Sequence, residues 1–326
     1  MSFLEAGSRR RQSMLVNLMI EGQEDVKWEE WVSLAKTVEA HAAFEGLFRS
    51  DHYLSVTGHH RRGSLDAWTT IAALAGITQR IRLGTLVSPA TFRHPSVLAK
   101  AAVTCDHISG GRIDVGLGTG WHHAEHVAYG FDFPGVRTRL EIFEEQLEIV
   151  HRSWTEEGFS FRGKHYELRR LDARFKPVQS PHPILIAGGN GRPRVMRGAA
   201  LWVDEYNTYF VPPEEMSRRR QMWERAWEAA GRSEDVRFSA MLGVVPGETR
   251  RDLAARARRL MTGDGDPMAF LQAQRARWVS GTPQQIIEQL QAYERAGVQR
   301  VMLQLLLHDD LEAVELIGRH IAPALG

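Results

Sequence analysis

Across 326 residues, 41 basic side chains face 40 acidic ones, a formal net charge of +1. That balance offers no basic stripe for nucleic acid and no patch for an acidic membrane surface, so neither is expected as a partner. A single cysteine, Cys105, leaves no disulfide within the chain and no cysteine metal site, and no apolar run is long enough to span a bilayer.

Residues 1–13 read as a loose extension that carries basic side chains but too little apolar sequence for a signal peptide, so a cytoplasmic protein is expected. Leu15 to Ile20 is the first predicted strand, and a helix from about Val26 to Ala43 follows, its tryptophans read as packing. Gly46 to Arg49 is a second, short strand that runs into Ser50-Asp51-His52-Tyr53. After a polar loop with His59 and His60, a helix is expected from Ser64, read as its cap, to Thr78. Ile81 to Val87 is a compact branched run, the signature of a parallel strand covered on both faces. His94-Pro95 opens a third helix, since a proline at the first helical position loses no hydrogen bond, and Gly110-Gly111 closes it. Arg112 to Leu117 is the fourth strand, ending in Gly118-Thr119-Gly120, where missing side chains let a ligand approach the backbone.

A helix over about 137–153 precedes a break in the pattern. Residues 154–182 form an insertion in which 159–168 alternate as a hairpin would around Arg162-Gly163-Lys164. Ile184 to Ala187 is a strand that enters a Gly188-Gly189-Asn190-Gly191 turn, with a helix from Pro193. Trp202 to Tyr206, Phe238 to Val245 and Gln299 to Leu305 are the remaining strands. Helices are expected over about 213–230, 248–261, from Thr282 or Ser280 to Ala296, and 309–321, with another helical stretch after Pro267. Eight strands, each followed by a helix, argue for an α/β fold built as one (β/α)8 barrel over residues 14–326. The glycines of the fourth strand give G-x-G-x-G, not a dinucleotide fingerprint. In such a barrel the loops after the strands share one carboxyl-terminal edge, where α/β enzymes place their sites.

Several stretches carry a resemblance. GLFRSDHY at 46–53, LGTLVSPATFRHPSVLAK at 83–100, SGGRIDVGLGTGWHHAEHVAYG at 109–130, KPVQSPHPILIAGGN at 176–190 and SGTPQQIIEQL at 280–290, together with MIEGQE at 19–24, resemble the luciferase-like flavin superfamily. Within it they are similar to the branch of deazaflavin-dependent (coenzyme F420) oxidoreductases. The resemblance implies a TIM barrel whose cofactor ring lies across the carboxyl ends of the strands. It places Asp51 and His52 against that ring, a non-proline cis peptide at Leu86-Val87 behind it, and Thr119 and Gly120 beside it. It also gives Ala187, Gly188 and Gly189 a part in holding the phosphate-bearing tail. Backbone N–H groups that no side chain obstructs suit a phosphate. Relatives usually pair through the second and third helices, so a homodimer is expected.

Two departures bear on substrate. The sugar-phosphate dehydrogenases of this superfamily carry a glutamate where this chain has Trp121, and a tryptophan where it has Val56, so a sugar phosphate is not the expected substrate. An indole at position 121 instead makes the mouth apolar and able to stack on a flat small molecule. His52 is the candidate catalytic residue, because an imidazole can give or take the proton that accompanies hydride transfer. Adjacent residues at a strand end point apart, so Asp51 is assigned to the cofactor ring. Tyr53, Trp121 and His122 are assigned to the substrate side, with Tyr53 as a reserve proton donor. His122 and His126 have a spacing that could bind metal on a helix, but no third ligand is evident and no metal is expected. The alternative is a monooxygenase using reduced FMN, since the same barrel and motifs serve either chemistry. A noncatalytic flavin-binding protein is a third reading, against which the intact Asp-His pair and glycine loops argue.

Overall fold

In the computed structural model, which describes residues 13–57 and 61–326, eight parallel strands close into a barrel. The order of elements is β1 (Leu15–Ile20), α1 (Trp28–Ala40), β2 (Phe44–Arg49), α2 (Ala67–Ile77), β3 (Arg82–Thr85), β4 (Ser88–Pro89), α3 (Pro95–Ser109), β5 (Ile113–Gly118), α4 (His123–Tyr129) and α5 (Val136–Thr155). There follow β6 (Phe159–Arg162), β7 (Glu167–Leu171), β8 (Ile184–Gly188), α6 (Pro193–Ala199), β9 (Glu205–Tyr209), α7 (Pro213–Ala229), β10 (Arg237–Pro246), α8 (Arg250–Leu260), α9 (Pro267–Gln274), β11 (Trp278–Gly281), α10 (Pro283–Arg295), β12 (Arg300–Gln304) and α11 (Leu311–Leu316). Around the barrel, β1, β2, β3, β5, β8, β9, β10 and β12 pair in that order, and β12 returns to β1 with Leu15 opposite Arg300. The short β4 continues the line of β3 and pairs with the end of β5, Ser88 opposite Leu117.

Local chemistry explains most boundaries. Helix α3 begins where the His94 ring accepts the Ser96 N–H with Pro95 as first helical residue, and it stops at Gly110, whose φ of 67° is left-handed. Helix α10 opens on a reciprocal cap between Thr282 and Gln285. The second helix is capped by Asp66, which accepts the Thr69 N–H, and not by Ser64 as expected; the Ser64 hydroxyl instead meets the Arg49 guanidinium. The insertion holds the expected hairpin, β6 against β7. Strand β9 lies three residues later than expected, and β11, which pairs in parallel with residues 243–246 of β10, was not anticipated. All but Ser13 of the N-terminal extension, and His59 and His60 of the polar loop, lie outside the described residues.

Between barrel and helices runs one large apolar core that includes Trp31, Trp223, Phe143 and Leu303. Trp31 is fully buried with the Arg49 guanidinium 4.8 Å from its ring, a packing residue as expected, whereas Trp28, the other tryptophan of α1, is exposed. Cys105 is buried on α3, and burial pushes its thiol up to about 12. A second apolar group, Met19, Phe48, Leu86, Ile186 and Met302, clusters separately from it. Alternate strand residues point inward and outward, which is why one strand can serve both groups. Among the described residues no helix is long and apolar enough to cross a membrane.

Candidate active site

Three chain segments converge at the carboxyl-terminal edge. β2 delivers Asp51 and His52, the β3–β4 junction delivers Leu86 and Val87, and β5 delivers Thr119, Gly120 and Trp121. The Leu86–Val87 peptide is cis. The Val87 side chain packs across Gly116, Gly118 and Gly188, where an added Cβ would come within 2.6–2.8 Å of its methyl groups. Glycine at these three positions is therefore what admits the Val87 side chain against β5 and β8. Gly120 has a φ of 75°, and a Cβ there would meet the Thr91 hydroxyl at 2.7 Å.

Asp51 and His52 point apart, as adjacent residues at a strand end should. Asp51 is buried, and its Oδ2 accepts from the Ser88 hydroxyl (2.6 Å) and from Arg93 (2.5 Å). Its Oδ1 is buried with no partner among the described residues. Arg93 also reaches Asp66 at 2.8 Å and the Tyr53 hydroxyl at 3.2 Å. The Tyr53 hydroxyl donates to Asp66, and its ring is stacked between Phe92 and Tyr129 with centroids 5.2 and 4.9 Å away. Burial pushes that phenol up to about 12. Tyr53 thus belongs to the Arg93 ion cluster and the aromatic stack, and its hydroxyl is bound there and not to His52.

His52 turns the other way. Its Nδ1 lies 2.8 Å from Glu125 Oε2, and its side chain is only 12% exposed. Glu125 sits on α4, an element that was not anticipated, and is wholly buried. Its other oxygen accepts the backbone N–H groups of Tyr53 and, at 3.0 Å, Leu54. Burial raises the Glu125 carboxyl, but the His52 contact and the two amides outweigh it and hold the group below its usual range. Burial lowers His52, yet the hydrogen bond and charge of Glu125 prevail, with Glu21 and Asp51 adding to them, so the imidazole is raised above its ordinary value. Trp121, 62% exposed, stands edge-on to the His52 ring at 5.5 Å and tilts over His122 at 5.0 Å. His122, lowered mainly by burial, meets the His52 ring edge-on at 6.0 Å. At the end of β1, Glu21 accepts from Gln23 (2.6 Å) and from Gln304.

The histidine spacing that suggested metal is otherwise employed. His126 is buried, with Nε2 at 2.6 Å from the Thr91 hydroxyl and Nδ1 at 2.8 Å from the His122 carbonyl. Among the described residues no group of three potential ligands converges. On the far side of the barrel mouth, Ala187 is buried at the end of β8. The Gly189 N–H donates to the Asn207 carbonyl (3.0 Å) and the Gly191 N–H to the Tyr206 hydroxyl (3.1 Å), so two amides of the expected phosphate turn already have partners. A cleft of about 690 Å³ opens beyond Arg93, lined by Phe92, His94, Phe133 and Tyr166 among others. His52, Glu125 and Trp121 do not line it, so the chemistry is better placed at the barrel mouth.

These residues fit a flavin-like ring on one count: a buried carboxylate oxygen waits without a partner at Asp51. The space beside Gly118, Gly120 and Gly188 is taken by Val87 and Thr91. Glu125 and Glu21 are the residues that sequence reasoning left unassigned, although both lie inside the stretches that carried the resemblance.

Comparison with known proteins agrees with this architecture. The family model described as luciferase-like monooxygenase matches residues 13–300. An uncharacterized protein of Mycobacterium tuberculosis is 34% identical over 170 residues, 52% of this chain and 58% of its own; the match thus spans little more than half of that relative. The F420-dependent glucose-6-phosphate dehydrogenase of Nakamurella multipartita is 29% identical over 320 residues, covering 91% of this chain and 92% of that one. Among solved structures, an F420-dependent secondary alcohol dehydrogenase in complex with an F420-acetone adduct superimposes with a TM-score of 0.81 over 96% of this chain and 99% of its own. At 17% identity that likeness speaks to the fold alone.

Proposed function

Because the chain belongs to the luciferase-like monooxygenase family, we propose that it works as a deazaflavin-dependent oxidoreductase, passing hydride between coenzyme F420 and a small organic substrate. The observation that carries this reading is the division of labour at the end of β2. Asp51 offers a buried oxygen with no partner, while His52, turned away from it, is held by one ring nitrogen only.

When bound, the cofactor supplies or accepts a hydride. The chain's residues do the rest. Asp51, fixed by Ser88 and Arg93, is assigned to the ring's polar edge. Val87, seated on its glycines, backs the ring, and Thr119 and Gly120 border it. Ala187, Gly188 and Gly189 line the path of the tail. On the substrate side His52 exchanges a proton through Nε2, which has no hydrogen-bond partner among the described residues. Trp121 and His122 form the apolar rim above it, a surface suited to a flat or apolar molecule and not to a sugar phosphate.

Titration of the purified protein with oxidised F420 and with FMN, followed by fluorescence quenching, tests the reading. Binding of F420 at roughly micromolar concentration or tighter, and weaker binding of FMN, is the expected result. Tight FMN binding with none for F420 would replace the proposal with reduced-FMN monooxygenation.

A further inference from the structure

We propose that Glu125 is a positioning residue that fixes His52 as a proton donor, so that the site favours reduction of acceptors bearing a carbonyl oxygen, such as ketones and enones. The substrate class rests on the deazaflavin reading; the role of Glu125 does not.

The geometry is specific. Glu125 is wholly buried, and a buried carboxylate persists only when its oxygens are satisfied. Oε1 is satisfied by the Tyr53 and Leu54 amides, the two residues that follow His52, and Oε2 by Nδ1 of His52 itself. One side chain therefore grips both the imidazole and the backbone that carries it. With Oε2 an acceptor, Nδ1 must hold a hydrogen in either charge state of the ring. The proton that comes and goes is then the one on Nε2, the nitrogen left to the mouth. The groups facing the ring are Glu125 on α4 and His122 just before it, Glu21 from the end of β1 and Asp51 beside the ring after β2. Three are acidic. Asp51 is tied to Arg93 and Glu21 accepts from two glutamines, which leaves Glu125 as the carboxylate in contact.

A ring raised above its ordinary value keeps its Nε2 proton to higher pH and is the readier to give it. For an enone, hydride adds to the β-carbon, the electron pair moves to oxygen, and the Nε2 proton goes to that oxygen; the enol then tautomerises to the saturated ketone. For a simple ketone, hydride adds to the carbonyl carbon and the same proton completes the alcohol. Either way the reduced deazaflavin is oxidised by two electrons, and His52 is left neutral with Nδ1–H still on Glu125, to be reprotonated from water.

The test compares wild type with Glu125→Gln, which keeps the shape and an oxygen for the two amides while removing the charge. In cofactor-free protein labelled with ¹⁵N-histidine, with His52→Gln identifying the resonance, His52 should titrate above the ordinary value of about 6.5. In Glu125→Gln it should titrate lower by about one unit or more, the size expected for losing an adjacent opposite charge. With reduced F420 bound, the reduction of 2-cyclohexen-1-one should fall on the alkaline side of the wild-type His52 midpoint. Glu125→Gln should move that limb down, slowing reduction above it about tenfold while F420 affinity stays unchanged. Equal His52 midpoints in the two proteins overturn the role of Glu125, as does a wild-type midpoint at or below the ordinary value, which decides the matter even if the variant does not fold. F420 binding without enone reduction at any pH, or faster oxidation of 2-cyclohexen-1-ol than reduction of the enone at pH 7, overturns the substrate class and direction. A shifted midpoint with no F420 binding sinks the cofactor assignment and leaves Glu125 where it is.

Discussion

The two ends of the barrel both bury charge, and they use it differently. At the amino end, Arg300 at the start of β12 lies under the barrel with its guanidinium shared among Glu45 (2.6 Å), Asp114 (2.7 Å) and Glu205 (3.1 Å), while Arg82 adds a second contact to Asp114. Two arginines face three carboxylates. Burial raises Asp114 and Glu205; for Asp114 the two arginines prevail and hold it down, whereas Glu205 remains raised despite Arg300. At the carboxyl end each acid is instead paired with a single cationic group, Asp51 with Arg93 and Glu125 with His52. A buried carboxylate oxygen without a partner occurs at both ends, Glu205 Oε1 and Asp51 Oδ1, but the Asp51 atom stands beside the segments that converge at the mouth. An arginine shared among strands ties the barrel together; a pair at the mouth is placed where a cofactor or substrate can use it.

Removing Arg300 should break this comparison first if it is wrong. Arg300→Met leaves Glu45 and Glu205 without their arginine and Asp114 with Arg82 alone, and the expected cost is about 3–5 kcal/mol, the range for breaking a buried ion pair by deleting one partner. Measured by urea unfolding, that is a large share of a typical domain's margin. The molecules that remain folded should still bind cofactor as the wild type does. A variant that unfolds within about 1 kcal/mol of wild type would mean that the lower cluster is not a clamp.

Next in size is the contrast between the two adjacent residues at the end of β2. His52→Ala should lower kcat by about a hundredfold with little change in cofactor affinity, as expected for loss of a positioned acid. Asp51→Ala should do the reverse, weakening F420 binding by about tenfold, the value of one hydrogen bond to a charged group. Steady-state kinetics and fluorescence titration on the pair decide it. If both variants lose affinity equally, the two side chains are not divided between ring and substrate.

How much of this could be read in the sequence depends on how each residue's environment is written there. β1, α3 and β5 were legible to within about a residue because branched apolar runs, His94-Pro95 and Gly110 are local signals. β9 was misplaced because the apolar Trp202 and Val203 imitate a strand, whereas the true strand, Glu-Tyr-Asn-Thr-Tyr, carries polar residues into the barrel. Glu205 meets Arg300 there, and Asn207 meets Ser239. Those partners are remote in sequence and leave no local trace. The same holds at the site. Asp51, His52 and the glycine turns were named through resemblance, but the hold of Glu125 on His52 spans 73 positions and comes from a seven-residue helix whose histidines drew attention to metal instead.

The smallest effect is expected at Trp121, where the open end meets solvent. The ring is 62% exposed, contacts His52 and His122 only by its faces and edges, and donates no hydrogen bond to a described residue. Removing an exposed side chain of this kind should leave stability within about 0.5 kcal/mol of wild type. Its contribution is then to whatever stacks beneath it, and aromatic contacts add about 0.5–1.5 kcal/mol beyond area. Trp121→Ala should therefore raise KM for an enone by roughly three- to tenfold, with kcat and F420 affinity unchanged, and Trp121→Phe should recover part of the loss. Were kcat to fall as it does in His52→Ala, the indole would be orienting the imidazole and not receiving substrate. The rim would then belong with Glu125, as part of what holds His52 in place.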